Sequence, residues 1–292
     1  DVYNGGAGPA PQGWDWPSKP NSGLLGYVTT GATVTVDQFG EVAWVLTLGT
    51  DPFGTISGDG HLAIGAGSFS TAQITVGLGP DSTGSITQTG GSMTVYSKSG
   101  LSLGNNGSNG TYTISGGRLW GNSGDKKLRV GASSDASGSG LFKVIGSDAQ
   151  IRLGQLLISE GDTEGFGPSG TLAFEIDASG ITPMEFYHEL IINDGTAGTR
   201  TLDISLSGLA PETDLVLIDN LGASNVMMGT FDGLPEGAPI QASFGGTDYD
   251  WSLSYAYGPD GNDVALVIPE PSTLSLLALG GVALLMRRRR RA

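Results

Sequence analysis

One phrase of the sequence reads Gly110-Thr111-Tyr112-Thr113-Ile114-Ser115-Gly116-Gly117, in which glycines bound an alternating strand pattern. Tyr112 and Ile114 alternate with hydroxyl side chains, so one face of such a strand can line a core while the other face meets water. Related phrases begin at Gly84, 26 positions earlier, and at Gly140, 30 positions later. Repeats of this length are typical of solenoids, propellers and arrays, and the absence of a helical period favours a parallel β-helix.

A second phrase is a short apolar strand that ends in glycine. Its later copies close at Gly77, Gly104, Gly131 and Gly154, at intervals of 27, 27 and 23 residues. Glycine suits corners because it adopts positive φ at little steric cost. We therefore predict an all-β fold, a parallel β-helix (solenoid) whose coils share one apolar interior, with an antiparallel β-sandwich as the alternative. The copies are Leu62-Ala63-Ile64-Gly65, Ile74-Thr75-Val76-Gly77, Leu101-Ser102-Leu103-Gly104, Leu128-Arg129-Val130-Gly131 and Ile151-Arg152-Leu153-Gly154.

The sequence divides into four predicted regions. Residues 1–24, rich in proline and tryptophan, are an entry segment or N-terminal cap. Residues 25–160 carry the solenoid repeats. Residues 161–268 carry C-terminal β-rich coils and a cap, because an open solenoid end would expose strand edges and core. Residues 269–292 form a tail of a different character.

The tail consists of a Pro-Glu-Pro triplet, an apolar run and an arginine cluster. As a helix, the 13 apolar residues from Leu274 to Met286 would reach only about 20 Å, short of the roughly 30 Å hydrocarbon thickness. The prolines leave the triplet extended, and the arginines favour an anionic cytoplasmic membrane face. The tail thus predicts a short hydrophobic helix that anchors the chain temporarily. The triplet is Pro269, Glu270 and Pro271, and the cluster is Arg287, Arg288, Arg289, Arg290 and Arg291.

This tripartite tail resembles the PEP-CTERM sorting signal of bacterial surface proteins. The resemblance implies that a membrane-embedded exosortase recognises the triplet and cleaves nearby, and that residues 274–291 enter the inner membrane transiently. It also implies export to the cell envelope, the cell surface or the extracellular matrix. Since an exported protein needs an N-terminal export signal too, we expect that one preceded Asp1. An ordinary C-terminal membrane anchor, or an apolar tail packed on the domain, is the alternative.

The glycine-ended strands of residues 55–160 resemble the autotransporter-type β-strand repeats of bacterial surface proteins that carry the same tail. Residues 229–266 are similar to the closing segment of such passenger proteins, through Gly229-Thr230-Phe231, Leu234-Pro235-Glu236-Gly237 and Gly261-Asn262-Asp263-Val264-Ala265-Leu266. We expect this segment to form irregular final coils or a cap.

The composition limits the classes of function. The chain has no cysteine, which excludes a disulfide framework and thiolate chemistry. Its 50 glycines and its 15% of charged residues favour short strands and tight turns over long helices. Residues 1–268 hold nine Lys and Arg against 28 Asp and Glu, a formal charge of −19. Such an acidic body should repel nucleic acid and anionic polymers, so we expect no nucleic-acid partner.

Candidate catalytic groups are sparse. Arg129 and Arg152 occupy the same place in two copies of the second phrase and could stack as a short basic ladder for an anionic glycan, although plain outward-facing strand residues show the same pattern. Glu160, Asp162 and Glu164 could supply a carboxylate pair for glycoside hydrolysis, or they form a solvated loop. We predict no catalytic residue among them.

Metal sites are equally sparse. The phrase around His188 lacks the second histidine that a helical zinc site needs. The run from Gly258 to Leu266 partly matches the calcium-binding nonapeptide of repeat toxins, but Pro259 and Ala265 depart from it, and a tight turn is the alternative. We predict no required cofactor, with calcium as an option. Its first ligands would be Asp260 and Asp263.

Two functions stay open at this stage. The first is an exported structural or adhesive protein of the cell surface or of an exopolysaccharide or biofilm matrix, which needs no catalysis. The second is a polysaccharide-active enzyme, a lyase or glycoside hydrolase built on the β-helix. Extracellular polysaccharide would be a partner of either.

Overall fold

The computed structural model describes residues 25–29, 31–37, 41–49, 58–121, 126–132, 138–160, 168–192, 198–222 and 227–269. Within these ranges the regular elements are all β-strands, and no helix is present. The predicted N-terminal cap and the predicted C-terminal helix lie outside the described residues. The strands are β1 (Leu25–Val28), β2 (Ala32–Val36), β3 (Glu41–Leu48), β4 (Asp59–Ile64), β5 (Ser68–Leu78), β6 (Thr83–Asn105), β7 (Asn109–Gly121), β8 (Lys127–Ala132), β9 (Ser139–Ile145), β10 (Ala149–Leu153), β11 (Gln155–Glu160), β12 (Ser169–Ile176), β13 (Met184–Phe186), β14 (Leu190–Ile191), β15 (Arg200–Leu206), β16 (Leu215–Asn220), β17 (Met227–Met228), β18 (Pro239–Phe244), β19 (Thr247–Tyr257) and β20 (Asp263–Val267).

The strands up to β17 pair in parallel and form three ladders, one for each side of a solenoid. The chain passes from the first ladder to the second and the third, then returns to the first one level further along. The first ladder contains β1, the second halves of β3 and β5, the end of β6, and β8, β11, β14 and β17. The second contains β2, β4, the starts of β6 and β7, and β9, β12 and β15. The third contains the starts of β3 and β5, the middle of β6, the end of β7, and β10, β13 and β16.

The first sequence phrase keeps its register on the second ladder. Ile86 pairs with Tyr112, and Tyr112 pairs with Phe142, so equivalent positions of the phrase stack directly. This parallel stacking confirms the predicted β-solenoid, and the antiparallel sandwich is not the fold. Parallel pairing also continues beyond residue 160, through β12, β15 and β17.

The second sequence phrase mixes strands from different ladders, which corrects its predicted stacking. Leu62 pairs with Ile86 on the second ladder, and Ile151 pairs with Leu119 on the third. Only the three central copies, from Ile74 to Gly131, share the first ladder. A strand that ends in glycine marks a corner, but all three corners of a coil produce the same local pattern. The phrase therefore located turns correctly without assigning each strand to its ladder.

Inward side chains stack into one continuous core. Tyr112, Phe142 and Leu172 lie one above another on the second ladder and are fully buried. The rings of Tyr112 and Phe142 meet edge to face with centroids 5.1 Å apart, an arrangement worth about 0.5–1.5 kcal/mol beyond its buried area. The Tyr112 hydroxyl donates to Gln88 Oε1, and Gln88 Nε2 donates to the Arg118 carbonyl at 3.1 Å. Burial raises the pKa of Tyr112, so this hydroxyl stays protonated and keeps donating.

A column of glycines forms the corner where each coil enters the second ladder. Gly84, Gly110, Gly140 and Gly170 stack in register. A Cβ added to Gly110 would lie 2.1 Å from the carbonyl oxygen of Val76 in the preceding coil. The nearest backbone atoms at the other three positions would lie at 2.2, 2.1 and 2.3 Å. No carbon atom tolerates such distances, so the close approach of successive coils requires glycine here.

An antiparallel unit closes the C-terminal end. β20 pairs antiparallel with β16, β19 with β20, and β18 with β19. The buried Tyr255 hydroxyl accepts from the Phe231 backbone N–H at 3.0 Å and donates to the Leu234 carbonyl at 2.8 Å. Burial raises the pKa of Tyr255 to about 12. The Asp232 N–H donates to the Arg200 carbonyl at 3.0 Å, which attaches this unit to β15.

We expect Gly110→Ala to destabilise the solenoid by about 2–3 kcal/mol or more, because the new methyl group must displace backbone of the preceding coil. The matched control is Gly65→Ala, since a Cβ at Gly65 meets no heavy atom within 4 Å. That control should change stability by less than about 1 kcal/mol, and in the stabilising direction. Urea unfolding of both variants measures the difference. Equal unfolding midpoints would contradict the role of the glycine column.

Candidate functional site

Outward positions of the third ladder bring distant parts of the sequence together. Trp120 pairs with Arg152, Arg152 with Glu185, and Glu185 with Asp219. Because adjacent strands lie about 4.8 Å apart and these side chains share one face, they form a single outward column. All four residues are half-buried.

Two guanidinium groups lie against the Trp120 ring. Arg118 Cζ is 5.4 Å from the ring centroid, and Arg152 Cζ is 5.1 Å from it. Arg152 Cζ also lies 5.6 Å from the centroid of the Tyr187 ring. Each such contact contributes about 0.5–1 kcal/mol at an exposed site. The aromatic rings therefore hold both cations at defined places on the surface.

The two arginines differ in their polar partners. Arg152 Nε donates to Glu185 Oε2 in an ion pair, and this hydrogen bond raises the pKa of the Arg152 guanidinium. Arg118 Nε donates to the neutral Gln150 Oε1 at 3.1 Å. Across the described ranges, no carboxylate forms an ion pair with Arg118, and its side chain is exposed. The charge of Arg118 is thus available to a ligand.

These side chains line an open groove of about 380 Å³, which falls in the range of roughly 300–1,000 Å³ typical of ligand pockets. A guanidinium, an amide, a hydroxyl and an indole ring face the same space. Such groups suit a polar ligand that carries an anionic group. We define the arginine groove as Arg118, Trp120, Gln150, Arg152, Thr182 and Glu185.

The outward column ends in carboxylates. Burial raises the pKa of Asp219, the negative charges of Asp263 and Glu185 raise it further, and Arg152 opposes the shift. Asp263 Oδ1 accepts a hydrogen bond from the Asn220 N–H at 2.9 Å. Neighbouring carboxylates, one of them with a raised pKa, are the groups from which acid and base catalysis at sugars is built. The column thus runs from a basic end at Arg118 to an acidic end at Asp219.

The predicted basic ladder of Arg129 and Arg152 is wrong. Arg129 lies on the first ladder, where it pairs with Ser102 and Leu157, and its Nη1 donates to the Ser99 carbonyl at 2.7 Å. Arg152 lies on the third ladder. Both arginines stand between apolar residues just before a glycine, which made them equivalent in sequence although the three-sided coil separates them. The true neighbours of Arg152 are an aromatic ring and a carboxylate, and sequence analysis missed Trp120 and Glu185.

The calcium candidates lie next to the last strand. Asp260 is exposed in the turn that joins β19 to β20, and Asp263 opens β20. Gly258 and Gly261 flank the turn with φ of 80° and 67°. The part of the chain that the structure describes contains no group of three or more His, Cys, Asp or Glu residues that could hold a metal ion. Calcium binding by the two aspartates stays a prediction.

Most other predicted residues fall outside the described ranges. Glu160 ends β11, and Pro269 follows β20 as the last described residue. No helix among the described residues is long and apolar enough to cross a bilayer. The residues outside are Asp162, Glu164, Glu270, Pro271, Arg287, Arg288, Arg289, Arg290 and Arg291.

Fold and groove together define a β-solenoid with a polar outward site, and comparison with known proteins identifies its tail. Residues 267–291 match the PEP-CTERM protein-sorting motif, which confirms the predicted resemblance. This motif is a signal for exosortase-type processing, so the chain is an exported, cell-surface protein sorted through its C-terminus. No curated protein and no solved structure matches the chain. The resemblance to autotransporter-type repeats stays a prediction.

The raised pKa of Asp219 has a testable effect on stability. Between the ordinary aspartate pKa of 3.8 and the raised value, the folded protein binds more protons than the unfolded chain, so stability falls as the pH rises through this window. We expect Asp219→Asn to raise the melting temperature at neutral pH, with an advantage that shrinks as the pH falls towards 3.8.

The control for this experiment is Asp203→Asn, which removes an exposed carboxylate from β15 and reports the general benefit of one charge less on an acidic protein. Thermal unfolding followed by circular dichroism over a pH series compares the two variants. A melting temperature for Asp219→Asn at neutral pH no higher than that of Asp203→Asn would contradict the raised pKa.

Proposed function

We propose that this protein is a non-catalytic structural or adhesive component of the bacterial surface, displayed in an exopolysaccharide or biofilm matrix. The observation that carries the proposal is a PEP-CTERM motif at residues 267–291 joined to a parallel β-solenoid. The sorting motif supplies the location, and the solenoid supplies a rigid body that needs no catalytic residue to act as a spacer or an adhesive rod.

The solenoid is suited to this role by its construction. Each coil contacts mainly the coils on either side, so stability accumulates along the stack and bending must disturb whole ladders. Inner strands have backbone partners on both sides, as β9 has in β7 and β12. On the outer face of the second ladder, hydroxyl residues such as Thr87 and Thr113 stack in register. A polar flank of this kind supports a role in a hydrated matrix.

The tail supports a staged route to the surface. We infer that residues 274–291 hold the precursor in the inner membrane until an exosortase-type enzyme cleaves near the Pro-Glu-Pro triplet. Thirteen apolar residues barely span a bilayer, which favours transient over permanent anchoring. Loss of residues 269–292 would change the formal charge from −15 to −19, so the mature product would be the more acidic one.

Deletion of residues 269–292 should move the protein from the envelope fraction to the medium, because the membrane signal is lost. Glu270→Ala retains the apolar run and the arginines, so we expect uncleaved precursor in the inner membrane, and mass spectrometry should find its C-terminal peptide. The matched control is Glu189→Ala, an exposed glutamate in the body, which should be sorted normally. Unchanged fractionation of the deletion variant, in cells that contain an exosortase, would overturn the sorting role.

A second candidate function, cleavage of a polysaccharide, is favoured by one observation. Glu185 and Asp219 are neighbours in register on an outward face, and Asp219 has a raised pKa. A protonated carboxyl beside an ionised one could act as the general acid of a hydrolase. This candidate makes the acidic end of the column the reactive part and the arginine groove the part that holds the chain.

A depolymerisation assay separates the two candidates. With neutral and acidic polysaccharides, the full-length chain should release no new reducing ends and no unsaturated sugars if its function is structural. Release of either product by the wild-type chain, lost in Asp219→Asn and retained in Asp203→Asn, would replace the structural proposal with the enzymatic one.

A further inference from the structure

We propose that the arginine groove binds a carboxylate-bearing glycan, a largely neutral sugar chain with isolated uronic acid residues. The inference rests on the surface function proposed above, since export brings the groove into contact with extracellular carbohydrate. Arg118 is the residue that selects the carboxylate, and Trp120 positions it.

The selection argument starts from the unequal pairing of the two arginines. Glu185 already neutralises Arg152, whereas Arg118 uses its Nε on a neutral amide and is exposed. The terminal nitrogens of Arg118 can therefore take a planar carboxylate in a two-bond fork, the geometry that guanidinium groups favour. The Trp120 ring, 5.4 Å from Arg118 Cζ, restrains the side chain before a ligand arrives, which lowers the entropy lost on binding.

The rest of the groove suits sugar hydroxyls. The exposed Gln150 amide lies beside Arg118, and the Thr182 hydroxyl oxygen lines the same space. Both groups can donate and accept, as sugar hydroxyls do. Because the groove is open and lies on the flank of a solenoid, a ligand chain can continue beyond it, which a closed small-molecule pocket would not allow.

The charge of the body limits the ligand to sparse carboxylates. Residues 1–268 carry a formal charge of −19, and the outward column ends in Asp219. At physiological ionic strength, screening restricts each charge to about 8 Å, so a single carboxylate at Arg118 is influenced mostly by its immediate surroundings. A densely charged polyuronate would instead lie along an acidic surface that repels it. An isolated uronic acid residue satisfies both conditions.

The test uses the full-length chain in mild detergent and two probes, an oligosaccharide with one glucuronic acid residue and the same oligosaccharide after reduction of its carboxyl group to an alcohol. Isothermal titration calorimetry gives both affinities. We expect carboxyl reduction to weaken binding to the wild-type chain about tenfold or more, the loss of one charge-assisted hydrogen-bonded contact. Arg118→Ala should weaken binding of the acidic probe to the same extent and leave the reduced probe unaffected.

The matched control is Arg129→Ala, which removes the same type of side chain from the first ladder and should leave both affinities unchanged. Arg118→Gln, which keeps much of the side-chain volume, replaces Arg118→Ala if the alanine variant melts early. Absence of binding to either probe, equal binding of both probes, or equal losses in the Arg118 and Arg129 variants would each overturn the proposal. Any of these results in a correctly sorted protein rejects the glycan site alone, whereas normal binding by a protein absent from the surface rejects the proposed function alone.

Discussion

The contact between successive coils at the glycine corner is the constraint on which the other features depend. At Gly110 the chain passes so close to the Val76 carbonyl that only a hydrogen atom fits between them. Each coil therefore enters the second ladder at the same place above its predecessor. The column ends where Gly170 is followed by Arg200, whose buried side chain donates from Nη1 to the Gly198 carbonyl at 2.8 Å. Where the corner no longer presses on the coil before it, a large side chain can enter.

Fixed register has consequences on both sides of the sheet. Inside, it aligns Tyr112 with Phe142 and Leu172, so the core is built from like positions. Outside, the same alignment places Trp120 beside Arg152 although 32 residues separate them in the chain. The arginine groove is therefore a product of strand register, and a slip by one residue would turn every one of its side chains to the other face.

Sequence reasoning predicted the features that are local. Alternation around Tyr112 indicated which side chains are inward, and the glycine pairs indicated where the chain turns, because both depend on a few consecutive residues. The groove depends on which strands are neighbours, and coil length varies from 24 residues between Leu62 and Ile86 to 34 between Met184 and Ile218. Such variation defeats a search for one fixed period.

A usable signal for the groove was nevertheless present in the sequence. Arg118-Leu119-Trp120 and Gln150-Ile151-Arg152 both place two polar or aromatic side chains around one apolar residue. Leu119 and Ile151 are buried, so the flanking residues must point outward. Aligning such triplets, in place of glycine-ended strands, would have brought the two arginines and the tryptophan together without knowledge of the loops between them.

The ends of the solenoid strengthen the view that its flanks carry the interactions. An open end would offer unpaired strand edges to a second copy, a common route to aggregation. Here β20 covers β16 in antiparallel orientation, with register shifts at Val216 and Ser254, and the outermost strand β18 begins with Pro239, which has no N–H to donate. Continued parallel stacking is thus blocked at this end. What the described body offers to its surroundings is its lateral surface, where the most organised cluster of charged and aromatic side chains is the arginine groove.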